Sequence, residues 1–283
     1  MDVLKVEKIN KTYENFKLSD VSFNLEKGYI MGFIGANGAG KTTTLKSILN
    51  MIHIESGAVD IFGKDIRKEE MKIKSDIGYM FGGVDFYPKK NVSTLTDVVK
   101  RFYSGWNNET YHKYMKRFKI DENKKICELS NGMKVKYNLT LALSHDAKLF
   151  IFDEPTSGLD PVARDNILEI FQELIEDGEK SILFSTHIIS DLDKCADFIT
   201  YINEGKIVAS SEKDEFKNSY KIVKGSKKQL EELKNMLVSY KENSFGFTGL
   251  IKTNEIEPGL DVNISDANLE DIMVYYARKG ELN

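Results

Sequence analysis

This 283-residue sequence predicts an α/β fold built around a mostly parallel sheet. Two observations carry that expectation. Short runs at Tyr29–Ile34, Leu149–Phe152, Ser181–Phe184 and Phe198–Ile202 are almost continuously apolar, as strands covered on both faces must be. Segments with helical spacing lie between them, and strands that alternate with helices pair in parallel through crossover connections.

Taken in order, Val21–Leu25 alternates apolar and polar residues and predicts a half-buried strand. Gly40 to Asn50 spaces Leu45, Ile48 and Leu49 as one face of a helix. From about Val84 to Ser144 the character changes to helical: Tyr111, Tyr114, Met115 and Phe118 share one face, and Leu139, Leu141, Ala142 and Leu143 belong to another helix. Pro161 to Asp177 is predicted to be helical, with Asp160 as its cap, Pro161 in its first turn and Gly178 just past its end. After about Lys213 comes a compact tail, with strands at Tyr220–Val223, Gly246–Ile251 and Val262–Ile264 and helices at Lys228–Leu237 and Asn268–Ala277. The expected division is a main domain over 1–212, with a helical subdomain at about 84–144, and a small C-terminal α/β domain over 213–283.

Composition narrows the function. An apolar fraction of 41% supports a real core, and 40 basic residues against 44 acidic ones argue against a protein that coats nucleic acid. Cys127 and Cys195 are far apart and in no metal-ligand spacing, which suits ordinary thiols in a reducing compartment. The first residues lack the pattern of a signal peptide, and no run of about 18 apolar residues offers a membrane span. A cytosolic protein is expected, reaching a membrane only through a partner.

Gly35-Ala36-Asn37-Gly38-Ala39-Gly40-Lys41-Thr42 matches G-x-x-x-x-G-K-[ST] between a buried strand and a helix. Its glycines let the backbone curl so that N–H groups face phosphate oxygens, and the helix adds the positive end of its dipole. Lys41 can reach the β- and γ-phosphates of ATP, the Thr42 hydroxyl can ligate Mg²⁺, and Thr43 is placed for the α-phosphate side. The apolar strand Leu149–Phe152 runs straight into Asp153 and Glu154. Acids at a strand's C-terminal end are displayed where α/β sheets bind ligands. Asp153 is expected to hold Mg²⁺, and Glu154 to orient or deprotonate the attacking water.

Further motifs follow in a fixed order. Leu129-Ser130-Asn131-Gly132-Met133 resembles the ABC signature, Ser157-Gly158-Leu159-Asp160 the D-loop, and Ser185-Thr186-His187 the switch histidine. Tyr13 resembles the aromatic that stacks on adenine. As an ordered set these motifs make roughly residues 1–210 similar to the nucleotide-binding subunit of an ABC transporter. The resemblance implies a P-loop NTPase, with a RecA-like core on a mixed sheet plus the ABC helical subdomain. It also implies ATP hydrolysis in a homodimer or heterodimer of cassettes docked on an integral membrane permease, at the cytoplasmic face of the membrane. Ser130 and the Gly132 N–H would then cap the γ-phosphate bound by the opposite copy, His187 would hydrogen-bond it, and Asp160 would couple the two sites. The motif wording and short tail are similar to bacterial ABC-2-type exporters, including Gram-positive systems for antimicrobial peptides or peptide toxins.

Two departures from the pattern stand out. The Q-loop glutamine is replaced by Gly82, followed by Gly83, so no carboxamide is offered there; Asn131-Gly132-Met133 replaces Gly-Gly-Gln. Phe86 and Tyr87, just beyond, are expected near the permease dock. Gly82 is also the one support for an alternative, a soluble regulatory ABC ATPase with weak or no turnover. An ABC protein acting on ribosomes or DNA is disfavoured, because the chain has neither a second cassette nor a long coiled-coil insertion.

Overall fold

The computed structural model describes residues 1–82, 87–257 and 260–281. β1 (Asp2–Tyr13) and β2 (Phe16–Glu26) form a hairpin, followed by β3 (Ile30–Ile34) and α1 (Lys41–Ile48). Next come β4 (Ser56–Ile61), β5 (Lys64–Asp65), α2 (Glu70–Ser75) and β6 (Ile77–Phe81). The helical segment holds α3 (Val92–Val99), α4 (Asn108–Arg117) and α5 (Asn131–Leu143). The chain then alternates through β7 (Leu149–Asp153), α6 (Pro161–Ile175), β8 (Ser181–Thr186), α7 (Ile189–Cys195), β9 (Phe198–Asn203) and β10 (Lys206–Glu212). The tail contains α8 (Lys213–Asn218), β11 (Tyr220–Gly225), α9 (Lys227–Leu233), β12 (Leu237–Asn243), β13 (Gly246–Lys252), β14 (Asn263–Asp266) and α10 (Leu269–Glu281).

The central sheet has the order β10-β9-β3-β8-β7-β6. Its strands from β9 to β6 pair in parallel, and only β10 runs antiparallel. Every residue of β3, β7 and β8 is buried, as expected for strands with apolar cores covered on both faces. Because β8 lies between β3 and β7, the loops after these three strands leave the same edge as neighbours. The phosphate loop, the switch histidine and the carboxylate pair therefore meet although the sequence separates them widely.

A second, antiparallel sheet, β2-β1-β4-β5, packs Leu4, Val6, Val21 and Val59 against β3 and α1 in one core cluster. On the other face of the central sheet, α6 supplies Ile167, Ile170 and Phe171, and Phe171 stacks 5.2 Å from Phe152. The helical segment joins this core through Tyr111, Tyr114, Leu139 and Leu143. Inside it the Thr96 hydroxyl lies 3.0 Å from Tyr111 Oη and 2.9 Å from Tyr137 Oη, so three buried hydroxyls satisfy one another. The expected start of this segment at Val84 lies outside the described residues.

The tail differs from its expected outline. Its sheet, β12-β13-β11-β14, is antiparallel throughout. The helix expected to reach Leu237 stops at Leu233, because Leu237 opens β12, a strand that helical spacing had hidden. Packing is continuous across position 213. Tyr276 of α10 meets Tyr201 of β9 edge-on at 5.3 Å, and its hydroxyl lies 2.9 Å from that of Tyr220.

His145, directly after α5, ties this helix to the central sheet. Its Nε2–H donates to the Ile77 carbonyl at 3.1 Å, its ring stacks on Tyr103 at 3.9 Å, and its buried Nδ1 has no partner. A second proton would be buried on Nδ1, so burial holds the imidazole below its ordinary 6.5. Because the folded value is depressed, the contribution to stability is complete above 6.5 and is lost as the pH falls through the folded value. We expect the thermal midpoint to fall between about pH 7 and pH 5 and the fall to shrink in His145→Gln, whose amide can still donate to Ile77. Identical slopes in the two proteins would show that the ring does not drive it.

Candidate functional site

β3 delivers the chain to Gly35 at the sheet edge, and the phosphate loop then turns back over the strand end. Gly38 and Gly40 take φ values of 80° and 112°, which a side chain would resist, and Gly40 also packs against Phe16 and Leu18. α1 starts immediately afterwards with Lys41. The Lys41 ammonium is buried, donates to the carbonyls of Gly35 at 2.8 Å and Ala36 at 3.3 Å, and lies 3.4 Å from Glu154 Oε1.

Asp153, the last residue of β7, is also buried. Its Oδ2 accepts from the Thr42 hydroxyl at 2.7 Å and its Oδ1 from the Ser185 hydroxyl at 2.6 Å. One carboxylate thus joins the phosphate-loop helix to the end of β8. The Ser185 oxygen in turn accepts from the Glu154 N–H at 2.9 Å, so one hydroxyl holds both acids. Glu154 has left the strand with φ 51°, a left-handed conformation uncommon for a residue with a side chain. That turn aims its carboxylate back across the sheet edge, where Oε2 lies 2.8 Å from His187 Nδ1. Glu154 is therefore clasped between a lysine and a histidine.

A cavity of about 540 Å³ opens beside this cluster, lined by Asn15, Phe16, Ala36, Asn37, Gly38, Gly40 to Thr43 and Glu154. Tyr13 is not among its lining residues. It ends β1, is 43% exposed, and has the Lys11 ammonium 5.4 Å from its ring centre. Phe16, across the hairpin turn, is the aromatic residue of that lining. A hydroxyl on the strand beside the acids could have pointed to Ser185; Asn15 and Phe16 gave no comparable signal.

Ser130, Gly132 and Asp160 also lie outside that lining. Ser130 caps α5 by accepting from the Met133 N–H at 3.3 Å, and Asp160 caps α6 by accepting from the Ala163 N–H at 2.9 Å. The Ala163 N–H, with that of Val162, holds the Asp160 carboxyl below its usual range. The two loops are close to each other, since a Cβ on Gly132 would come 3.2 Å from Leu159. At the Q-loop position Gly82 has φ 65° and open space around it, and its carbonyl accepts from the Asn138 amide of α5 at 2.8 Å. Gly83 and Phe86 lie outside the described residues; Tyr87 is 64% exposed.

A glycine nest at a helix N-terminus, a buried lysine inside it and two acids on the next strand but one define a P-loop nucleotide-binding enzyme. The ABC transporter family profile matches residues 18–157. The ABC transporter ATP-binding protein YtrB of Bacillus subtilis (strain 168) is 32% identical over 77% of this chain and 75% of its own length. The bacitracin transport ATP-binding protein BcrA of Bacillus licheniformis is 30% identical over 73% and 68%. A solved structure of an ABC transporter ATP-binding subunit superposes with a TM-score of 0.69 at 26% identity, covering 76% of this chain and 92% of that one. The chain belongs to the ABC transporter family of ATP-binding subunits and is an ABC-type ATPase.

Ser185→Ala would strip Asp153 Oδ1 of its donor while the Glu154 N–H kept the Ser185 carbonyl at 3.2 Å. Hydrogen bonds to charged groups contribute about 1.5–3 kcal/mol, so steady-state hydrolysis should fall about tenfold, with ADP affinity changed less than twofold. Unchanged turnover would show that Asp153 and Glu154 do not need this hydroxyl.

Proposed function

We propose that this chain is the motor of a membrane exporter, in which two cassettes close on ATP and hydrolysis reopens them. The observation that carries the reading is the convergence of Lys41, Thr42, Asp153, Glu154 and His187 at one edge of the central sheet, reached from three adjacent strands.

In this reading the triphosphate lies in the phosphate loop. Lys41 exchanges its carbonyl and Glu154 contacts for β- and γ-phosphate oxygens, the Gly38 to Lys41 backbone supplies N–H donors, and Thr43 serves the α-phosphate. Tyr13 and Phe16 are the two aromatics available to the base. Thr42 and Asp153 offer only oxygen ligands, the donor set Mg²⁺ prefers, and among the described residues no cluster of three or more His, Cys, Asp or Glu forms a cage. Thr42 and Asp153 would therefore hold Mg²⁺, which would neutralise phosphate charge. Released by Lys41, Glu154 accepts the proton of the attacking water, and His187 keeps that carboxylate oriented and reaches the γ-phosphate. Ser130 and Gly132 are not among the residues lining the chain's own phosphate cavity. They would complete the site of a second cassette, with Asp160 at the shared boundary.

No described helix is long and apolar enough to cross a membrane, so a separate permease would carry the cargo. A mostly apolar groove of about 440 Å³, lined by Lys46, Tyr79, Phe81, Val99, Tyr103 and Asn138, lies between the central sheet and the helical segment beside Gly82. It suits a short helix of that permease. Similarity to a bacitracin transport subunit supports an antimicrobial peptide as cargo.

Glu154→Gln should lower ATP hydrolysis by at least about a hundredfold while ATP is still bound, because the amide keeps the shape but cannot take a proton. Equal rates in the two proteins would remove Glu154 as the base. If wild-type protein hydrolyses little ATP both alone and with its permease, the regulatory alternative raised by Gly82 gains instead.

A further inference from the structure

Thr156, Asp191 and Arg164 form a buried polar contact that none of these steps uses. Thr156 is two residues past Glu154 and fully buried; Asp191, four residues past His187 on α7, is 1% exposed. The Thr156 hydroxyl donates to Asp191 Oδ2 at 2.6 Å. Asp191 Oδ1 has no hydrogen-bond partner, and neither has the buried Nε of Arg164 on α6, although the two are 3.9 Å apart.

A buried carboxylate oxygen beside a buried guanidinium N–H, neither of them used, is costly for both groups. A shortening of about 1 Å would turn the pair into a charge-assisted hydrogen bond. Each end of this contact is anchored to the reaction chemistry. Thr156 lies on the loop from Glu154 to Asp160, and the Arg164 N–H bonds the Asp160 carbonyl at 3.0 Å in the first turn of α6. Asp191 bonds the Ile188 carbonyl through its own N–H at 3.2 Å, directly beside His187. Burial pushes the Asp191 carboxyl up, and the Thr156 hydroxyl and Arg164 pull it back, as expected of a group these two partners hold.

We infer that Asp191 is a positioning residue that latches the helix after His187 to the loop between Glu154 and Asp160, with Arg164 closing onto its second oxygen when the cassette grips ATP. The latch fixes the distance between His187 and Glu154 on one side. On the other, it transmits a shift of His187 to Asp160 and so to the boundary with a second cassette. This rests on Glu154 and His187 acting as proposed above.

The test is steady-state ATP hydrolysis with ADP binding measured in parallel. Thr156→Val keeps the shape and removes the hydroxyl; Thr156→Ser keeps the hydroxyl. In Thr156→Val kcat should fall about tenfold, with KM for ATP and ADP affinity within about twofold of wild type, and Thr156→Ser should recover most of the loss. Wild-type kcat in Thr156→Val overturns the latch. So does an equal loss in Thr156→Ser, which would mark simple packing, or a loss of ADP affinity in step with kcat. Should Thr156→Val fail to fold, Arg164→Gln reads the same coupling from a partly exposed side chain: about a threefold or larger fall in kcat at constant affinity is expected, and wild-type kcat overturns the inference. Glu154→Gln run alongside separates the two failures. A wild-type rate there removes the base assignment and the footing of the latch together, whereas a wild-type rate in Thr156→Val beside an inactive Glu154→Gln overturns the latch alone.

Discussion

The Asp153 carboxylate is the constraint on which the rest of the site depends. A negative charge at the buried end of β7 is tolerable only when both oxygens are satisfied. Thr42 and Ser185 satisfy them, and in doing so they pull α1 and β8 onto one point. The Ser185 hydroxyl then holds the Glu154 N–H, which fixes the left-handed turn that sends Glu154 towards Lys41 and His187. A single buried charge thereby sets the mutual position of loops from three strands. Every donor to it is a hydroxyl, which can rotate away when a metal ion competes, so the cluster is rigid in the sheet and adaptable at its tip.

Strand order supplies the other half of the design. With β8 between β3 and β7, the segment after β8 adjoins the loops after both neighbours, and the Thr156–Asp191 hydrogen bond ties α7 to the loop after β7. The signature serine and the D-loop aspartate stand apart from this cluster, each capping a helix in its own chain. Capping leaves further lone pairs on each side chain, and the positive end of the α5 dipole lies beside Ser130.

Much of this was legible in the sequence because it rests on local rules. The apolar strands, the phosphate loop and the capped helix at Pro161 are each specified by neighbouring residues, and the structure places all three as expected. What escaped depends on contacts between distant residues. β1 carries no clean alternation, since Lys8 at φ 47° and its bulges interrupt the pattern. β12 was missed and its first residue, Leu237, was read as the end of a helix, since Leu230, Leu233 and Leu237 fit helical spacing, and pairing with β13 decides the matter. At the site, Phe16 in the cavity lining was not foreseen, because which residues of a hairpin tip meet the cavity depends on twist rather than on residue type. The Thr156–Asp191 contact joins segments 35 residues apart and has no sequence signature at all.

The account stands or falls on Asp153 and Thr42 forming the metal side of a nucleotide site. Electron paramagnetic resonance of Mn²⁺, titrated into protein with excess ATP, reads this directly. The account predicts one tightly held Mn²⁺ per bound nucleotide in wild type and at least about tenfold weaker retention in Asp153→Asn, with metal-free ATP binding preserved. Equal Mn²⁺ retention in the two proteins would contradict it.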